Sequence, residues 1–160
     1  MVDADSSVLP DPPFDRAGRD GSRTPLQWDR SALGGFTTGR PWLPVIDPQA
    51  CNVADQSADP GSLLSLYRRL IAARREAPAL GRGSHRSIFG VAPEVLAWVR
   101  ELDGERILVL LNAGDQPRPC KVVGLGNDGD VLVGTDPSRG GRVGLEGLTL
   151  APLEGLALRL

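Results

Sequence analysis

No charge of one sign dominates this chain. Its 18 basic residues stand against 20 acidic ones, a net −2 over 160 residues. A field of one sign, of the kind that phosphate backbones or anionic lipids require, is therefore missing, which argues against nucleic acid and membrane surfaces as partners. Long apolar runs are missing too. None exceeds five residues, Ile107 to Leu111 among them, far short of the roughly 20 that a membrane helix needs. The opening Met1-Val2-Asp3-Ala4-Asp5 is acidic and has no apolar signal core, so a cytoplasmic location is expected. Only two cysteines occur, Cys51 and Cys120, far apart and without metal-type spacing. Two free thiols in a reducing compartment are the expectation. Histidine is scarcer still. The single one, His85, has no partner for a catalytic triad or a zinc site and reads as a solvated loop residue. At 160 residues the chain is also too short for a whole (β/α)8 barrel, which takes at least roughly 200.

What is present falls into three stretches. Residues 1–58 are rich in proline, glycine and aspartate, show little periodicity and carry Phe14, Trp28, Phe36 and Trp42. Rings of that size need something to pack against, so an ordered loop lying on a larger body is expected. Residues 59–77 read as one amphipathic helix, with Asp59 as N-cap, Pro60 in the first turn and Pro78 as the stop. Leu63, Leu64, Tyr67, Leu70 and Ile71 share one face, which the pattern marks for burial, and Arg68, Arg69, Arg74 and Arg75 crowd the C-terminal half. From residue 84 short β-type runs follow at roughly 8–12-residue spacing. They are Arg86–Phe89, Val95–Arg100, Ile107–Leu111, Cys120–Val123, Val131–Val133, Leu148–Leu150 and Leu156–Leu160. The breaks include Asp103-Gly104, Asn127-Asp128-Gly129 and Ser138 to Gly141, and the pattern predicts a small antiparallel sandwich or barrel.

Two constellations bear on chemistry. Gly124-Leu125-Gly126-Asn127-Asp128-Gly129 spells GxGxxG, but the strand-like Asp130-Val131-Leu132-Val133 follows where a dinucleotide site needs a helix. A hairpin turn is the better reading, and no cofactor is expected. The stretch from Gly18 to Asp29 packs Arg19, Asp20, Arg23, Gln27, Trp28 and Asp29 into twelve residues. Guanidinium and carboxylate forks of this kind grip vicinal hydroxyls while an apolar ring meets a sugar's C–H face. An ion-paired structural loop would account for the same residues.

The order of motifs is specific. Gly18-Arg19-Asp20, Arg23-Thr24-Pro25-Leu26-Gln27-Trp28-Asp29, Gly35-Phe36-Thr37 and Pro41-Trp42-Leu43-Pro44-Val45 are followed by Asn52-Val53, Gln56 and Asp59. Then come Leu66-Tyr67-Arg68-Arg69-Leu70-Ile71, Arg74-Arg75, Ala79-Leu80 and Gly83. This series resembles the C-terminal portion of the α-glucosidase (oligo-1,6-glucosidase) branch of the α-amylase family of glycoside hydrolases. The resemblance covers most of the chain, loosening to a matter of pattern from about Gly114.

It implies an α+β fragment. Residues 1–78 would be the last loop and helix of a (β/α)8 barrel, and 79–160 a small antiparallel β-sandwich domain. Such enzymes use a retaining mechanism with an aspartate nucleophile and a glutamate acid/base about 5–5.5 Å apart. In the family these sit on earlier barrel strands, and Asp11, Asp15 and Asp20 match none of its catalytic motifs, so no catalytic residue is expected here. Arg19 matches a family arginine that helps hold the glucose at the non-reducing end of the substrate by pairing with an early-barrel aspartate. It is the one substrate-binding residue implied. Arg23, Gln27 and Trp28 are expected to support the loop. An α-glucoside substrate is thus expected only with a complete barrel, and a barrel-bearing partner chain is one way to supply it. Two other readings stay open: a trehalose synthase-type isomerase, hinted at by Pro44-Val45-Ile46-Asp47-Pro48, and a free-standing β-domain for carbohydrate binding or subunit interaction.

Overall fold

The computed structural model describes residues 18–160. It divides into two compact units at Asp59/Pro60. Over its described residues the first unit is almost all loop, with a 3-10 turn at Asp20–Ser22 and one short helix, α1 (Val53–Ala58). Asn52 caps α1: its side-chain oxygen accepts the Asp55 N–H at 2.9 Å. Asp59 closes the same helix, its N–H donating to the Asp55 carbonyl.

The second unit begins with α2 (Leu63–Glu76), and two expectations for this helix need correcting. Its N-cap is Ser62, whose hydroxyl accepts the Ser65 N–H at 3.1 Å, not Asp59. Asp59 precedes a proline and is extended (φ −99°, ψ 112°), the conformation that a following pyrrolidine ring favours. The buried face also differs. Ala73 is the buried residue of α2, whereas Leu63, Tyr67, Leu70 and Ile71 are 64%, 58%, 43% and 49% exposed. The periodic apolar face that the sequence marks for burial is not covered within this unit.

After Ala77 comes α3 (Pro78–Arg82), with proline in its first turn, and then the strands β1 (Ser84–Ile88), β2 (Val95–Leu102), β3 (Glu105–Asn112), β4 (Arg118–Pro119), β5 (Asp128–Gly134), β6 (Arg142–Gly144), β7 (Thr149–Leu150) and β8 (Gly155–Arg159). Six of them form one antiparallel sheet in the order β1-β2-β3-β8-β5-β6, and β4 pairs with β7 as a separate two-stranded ribbon. The β2–β3 hairpin turns at Asp103-Gly104, both at positive φ (49° and 87°), as a tight two-residue connection requires.

The sheet is covered on both faces. Ala97, Val99, Leu108, Leu110, Leu156 and Leu158 lie opposite one another in register and pack with Val91, Cys120, Leu125, Leu145, Leu148 and Leu150. On the other face Ile107, Val133 and Ala157 meet Ala73, Ala77 and Ala79. The helix expected to close the segment 1–78 therefore lies in one unit with the strands expected over 79–160. Small alanines let the helices sit close to the sheet.

Three further local expectations change. Cys120–Val123 forms no strand; the Cys120 and Lys121 N–H groups donate singly, to Leu148 and Val91 carbonyls at 2.7 and 2.9 Å. Asp128-Gly129 belongs to β5, and the turn falls earlier, where Gly124 and Gly126 take positive φ (77° and 112°). His85 stands on β1 opposite Arg100, exposed and with its ring 6.1 Å from that of Trp98, so it is a strand residue and not a loop residue. No helix follows the GxGxxG segment, which removes the dinucleotide reading.

Both cysteines are free thiols, Cys51 exposed and Cys120 buried. Burial pushes the Cys120 thiol above its ordinary range. Alkylation of the native chain at neutral pH is expected to label Cys51 and spare Cys120, with both labelled in denaturant. Peptide mapping checks this, and native labelling of Cys120 would contradict the packing described.

Candidate functional site

The polar–aromatic loop is built from the backbone outward. Arg19 precedes the 3-10 turn, and its carbonyl accepts both the Ser22 N–H (3.1 Å) and the Ser22 hydroxyl (2.8 Å). These bonds fix the main chain at Arg19, whose side chain is exposed. Among the described residues no carboxylate forms an ion pair with it. Arg23 is likewise exposed, its N–H donating to the Asp20 carbonyl at 3.0 Å.

Gln27 is the organising residue of the loop. Its Oε1 accepts the Asp47 N–H at 2.7 Å, while Nε2 donates to the carbonyls of Cys51 (2.6 Å) and Asp47 (3.3 Å). The Gln27 and Trp28 carbonyls take the Val53 and Ala54 N–H groups, both at 2.9 Å, so two of the donors left open at the α1 N-terminus are satisfied. Gln27 is thus a structural clamp, as expected. Trp28 contributes main-chain bonds, and its side chain stays half exposed.

A tight turn completes the loop. The Trp28 N–H donates to the Gly34 carbonyl at 2.6 Å, and Gly34 and Gly35 both take positive φ (60° and 63°). A Cβ on Gly35 would stand 2.6 Å from the Asp29 carboxylate, so this position has no room for a side chain. Asp29 accepts the Ser31 hydroxyl and N–H, which together hold its carboxyl below the usual range. Asp55 is lowered too, chiefly by the Arg30 guanidinium 2.9 Å away and then by the Asn52 amide.

The buried Asn52, which donates to the Pro48 carbonyl at 2.9 Å as well as capping α1, was not picked out as a support residue from the sequence. The Asn52-x-x-Asp55 spacing, an N-cap three residues ahead of a carboxylate, is the signal that identifies it.

Arg19, Asp20, Arg23, Trp28 and Asp29 thus share one loop. Among the described residues no three potential metal ligands cluster.

Residues 5–83 match the family described as alpha amylase, catalytic domain. An oligo-1,6-glucosidase of Halalkalibacterium halodurans is 42% identical over 96 residues, 59% of this chain and 17% of that enzyme. The chain belongs to the α-amylase family of glycoside hydrolases. Within that family, the trehalose-6-phosphate hydrolase of Bacillus subtilis is 34% identical over 165 residues, covering 100% of this chain and 28% of the hydrolase. Among solved structures, the trehalulose synthase MutB of Pseudomonas mesoacidophila matches at 38% identity and a TM-score of 0.77, over 88% of this chain and 26% of the synthase. The chain therefore spans between about a sixth and just over a quarter of the length of these α-amylase-family relatives. The antiparallel sheet and the ordered loop belong to a fold shared with a much longer enzyme.

Proposed function

We propose that this chain is the C-terminal part of a retaining α-glucosidase-like hydrolase of short α-glucosides. It supplies the last loop and helix of the (β/α)8 barrel and an accessory β-sandwich domain. The observation that carries this reading is the match of residues 5–83 to the catalytic domain of a family whose matched relatives are several times longer than this chain. The uncovered apolar face of α2 supports it, because a periodic stripe of Leu63, Tyr67, Leu70 and Ile71 is what a helix shows when its packing surface lies elsewhere.

In this reading Arg19 pairs with an early-barrel aspartate and helps to hold the terminal glucose, and the nucleophile and acid/base come from the rest of the barrel. A cytoplasmic location fits a substrate of small α-glucosides. The likeness to trehalulose synthase favours a second reading, in which the barrel isomerises a disaccharide instead of hydrolysing it.

The 160-residue chain alone is expected to release no glucose from maltose or isomaltose. Release above a heat-inactivated control would overturn the reading. An antibody against residues 84–160 then sizes the protein in its source cells. A band several times larger than 17.0 kDa supports the hydrolase, and a lone band at that mass opposes it. Products separate the two chemistries: free glucose marks transfer to water, and a rearranged disaccharide marks isomerisation.

A further inference from the structure

Three arginines line one concavity of the second unit with no acid to balance them. Arg74 and Arg75 come from the last turn of α2 and Arg82 ends α3; Ile71, Pro78 and Gly81 complete the walls of a hollow of about 410 Å³. Arg74 donates to the Leu80 carbonyl at 3.2 Å, which engages one nitrogen of its fork. Among the described residues the ion pairs are made by Arg30, Arg118, Arg139, Arg142 and Arg159. None of the three arginines takes part; the nearby Glu76 stands 3.6 Å from Arg159 and does not line the hollow.

The α2 macrodipole accounts for some positive charge at this end. It does not by itself account for three exposed arginines lining one hollow with an apolar wall, where an entering anion would meet positive charge from two helices.

We propose that this hollow binds a phosphate monoester, with the guanidinium forks on the phosphate and Ile71 and Pro78 against the body of the ligand. Charge selects the class. A carboxylate offsets one of three positive charges, whereas a phosphate dianion offsets two and presents oxygens that guanidinium forks match in pairs. The site uses neither the Arg19 loop nor the catalytic carboxylates, but it shares Ile71 with the α2 stripe, so it requires that a barrel packed on that stripe leave the Ile71 end open.

Titration of the full chain followed by nuclear magnetic resonance of the arginine Nε–H groups and the Gly81 amide tests this. Glucose 6-phosphate serves as the ester, with inorganic phosphate and acetate at matched ionic strength beside it. Saturable shifts are expected with the ester, weaker ones with inorganic phosphate and none with acetate. Arg75→Gln/Arg82→Gln is expected to weaken binding about tenfold or more, and Arg75→Lys/Arg82→Lys to weaken it less. Both side chains are exposed, so the fold should survive, and unchanged backbone spectra outside the hollow verify that. Shifts that follow ionic strength alone, equal binding of acetate, or full binding by the glutamine variant would overturn the proposal.

Discussion

Gly83→Ala is expected to destabilise the second unit by about 3 kcal/mol, near the top of the range for forcing volume into a packed site. Gly83 joins α3 to β1, and its N–H closes α3 on the Ala79 carbonyl at 3.0 Å. A Cβ there would stand 2.6 Å from the Ala79 carbonyl oxygen and 2.8 Å from that of Glu101. Both obstacles are backbone, one in a helix and one in a strand, so no rotamer change relieves them. Either α3 must lift from β2 or the β1–β2 pairing at Ser84 and Glu101 must open. Gly81, two residues earlier, gives the control. A Cβ at Gly81 meets nothing within 4 Å, and alanine in a helix is better than glycine by roughly 1 kcal/mol, so Gly81→Ala should stabilise. Urea unfolding followed by circular dichroism reads both variants. A Gly83→Ala midpoint equal to that of the parent would mean that the α3–β1 junction is looser than described.

The same junction shows what could be read from residues alone. Alternation places Val95–Arg100, Ile107–Leu111 and Leu156–Leu160 in strands because a half-buried sheet imposes a period of two on any sequence that forms it. Asp103-Gly104 announces its turn because only residues tolerant of positive φ can make it. Cys120–Val123 misleads for a related reason. Cys120 and Val122 pack on the core from a loop, where Cys120 and Lys121 each donate one backbone bond and no ladder forms. The three-residue β6 escapes notice because Arg142-Val143-Gly144 is too short to carry a period.

Helix α2 is more instructive. Its periodicity was legible, but the pattern names the face built for burial and not the surface that covers it. Within this unit the sheet takes the Ala73 side, and the larger stripe stays exposed. The Arg19 loop follows similar logic. The supporting role of Gln27 follows from a side chain able to donate and accept at once, and the structure uses both ends. Among the described residues the Arg19 side chain makes no such bond, and the role proposed for it needs a partner from outside them.

Truncating Glu154 should have an effect of similar size for an electrostatic reason. Glu154 lies just ahead of β8 and is 4% exposed. Its Oε2 accepts from Arg139 Nη1 at 3.0 Å and from the Ala151 N–H at 2.6 Å, while Oε1 stands 2.9 Å from the same guanidinium. Arg139 in turn donates to the Thr149 carbonyl at 3.1 Å, so the pair ties the β7 end to the entry of β8. Glu154→Ala leaves the Ala151 N–H without its acceptor and the Arg139 charge without its counterion. Loss of one partner from a buried pair costs about 3–5 kcal/mol; here the 26% exposure of Arg139 lets water take up part of its charge, and about 3 kcal/mol is expected.

Arg139→Met tests the assignment from the other side. It strands the more deeply buried carboxylate and should destabilise at least as much, whereas Glu154→Ala/Arg139→Met removes both charges and should cost clearly less than the sum of the two single losses. Urea midpoints of the four proteins form the cycle. Additive losses, with the double variant as unstable as the sum of the singles, would mean that the two side chains act separately. A coupling that survives in 1 M salt would show that the pair is shielded from solvent, as the burial of Glu154 requires.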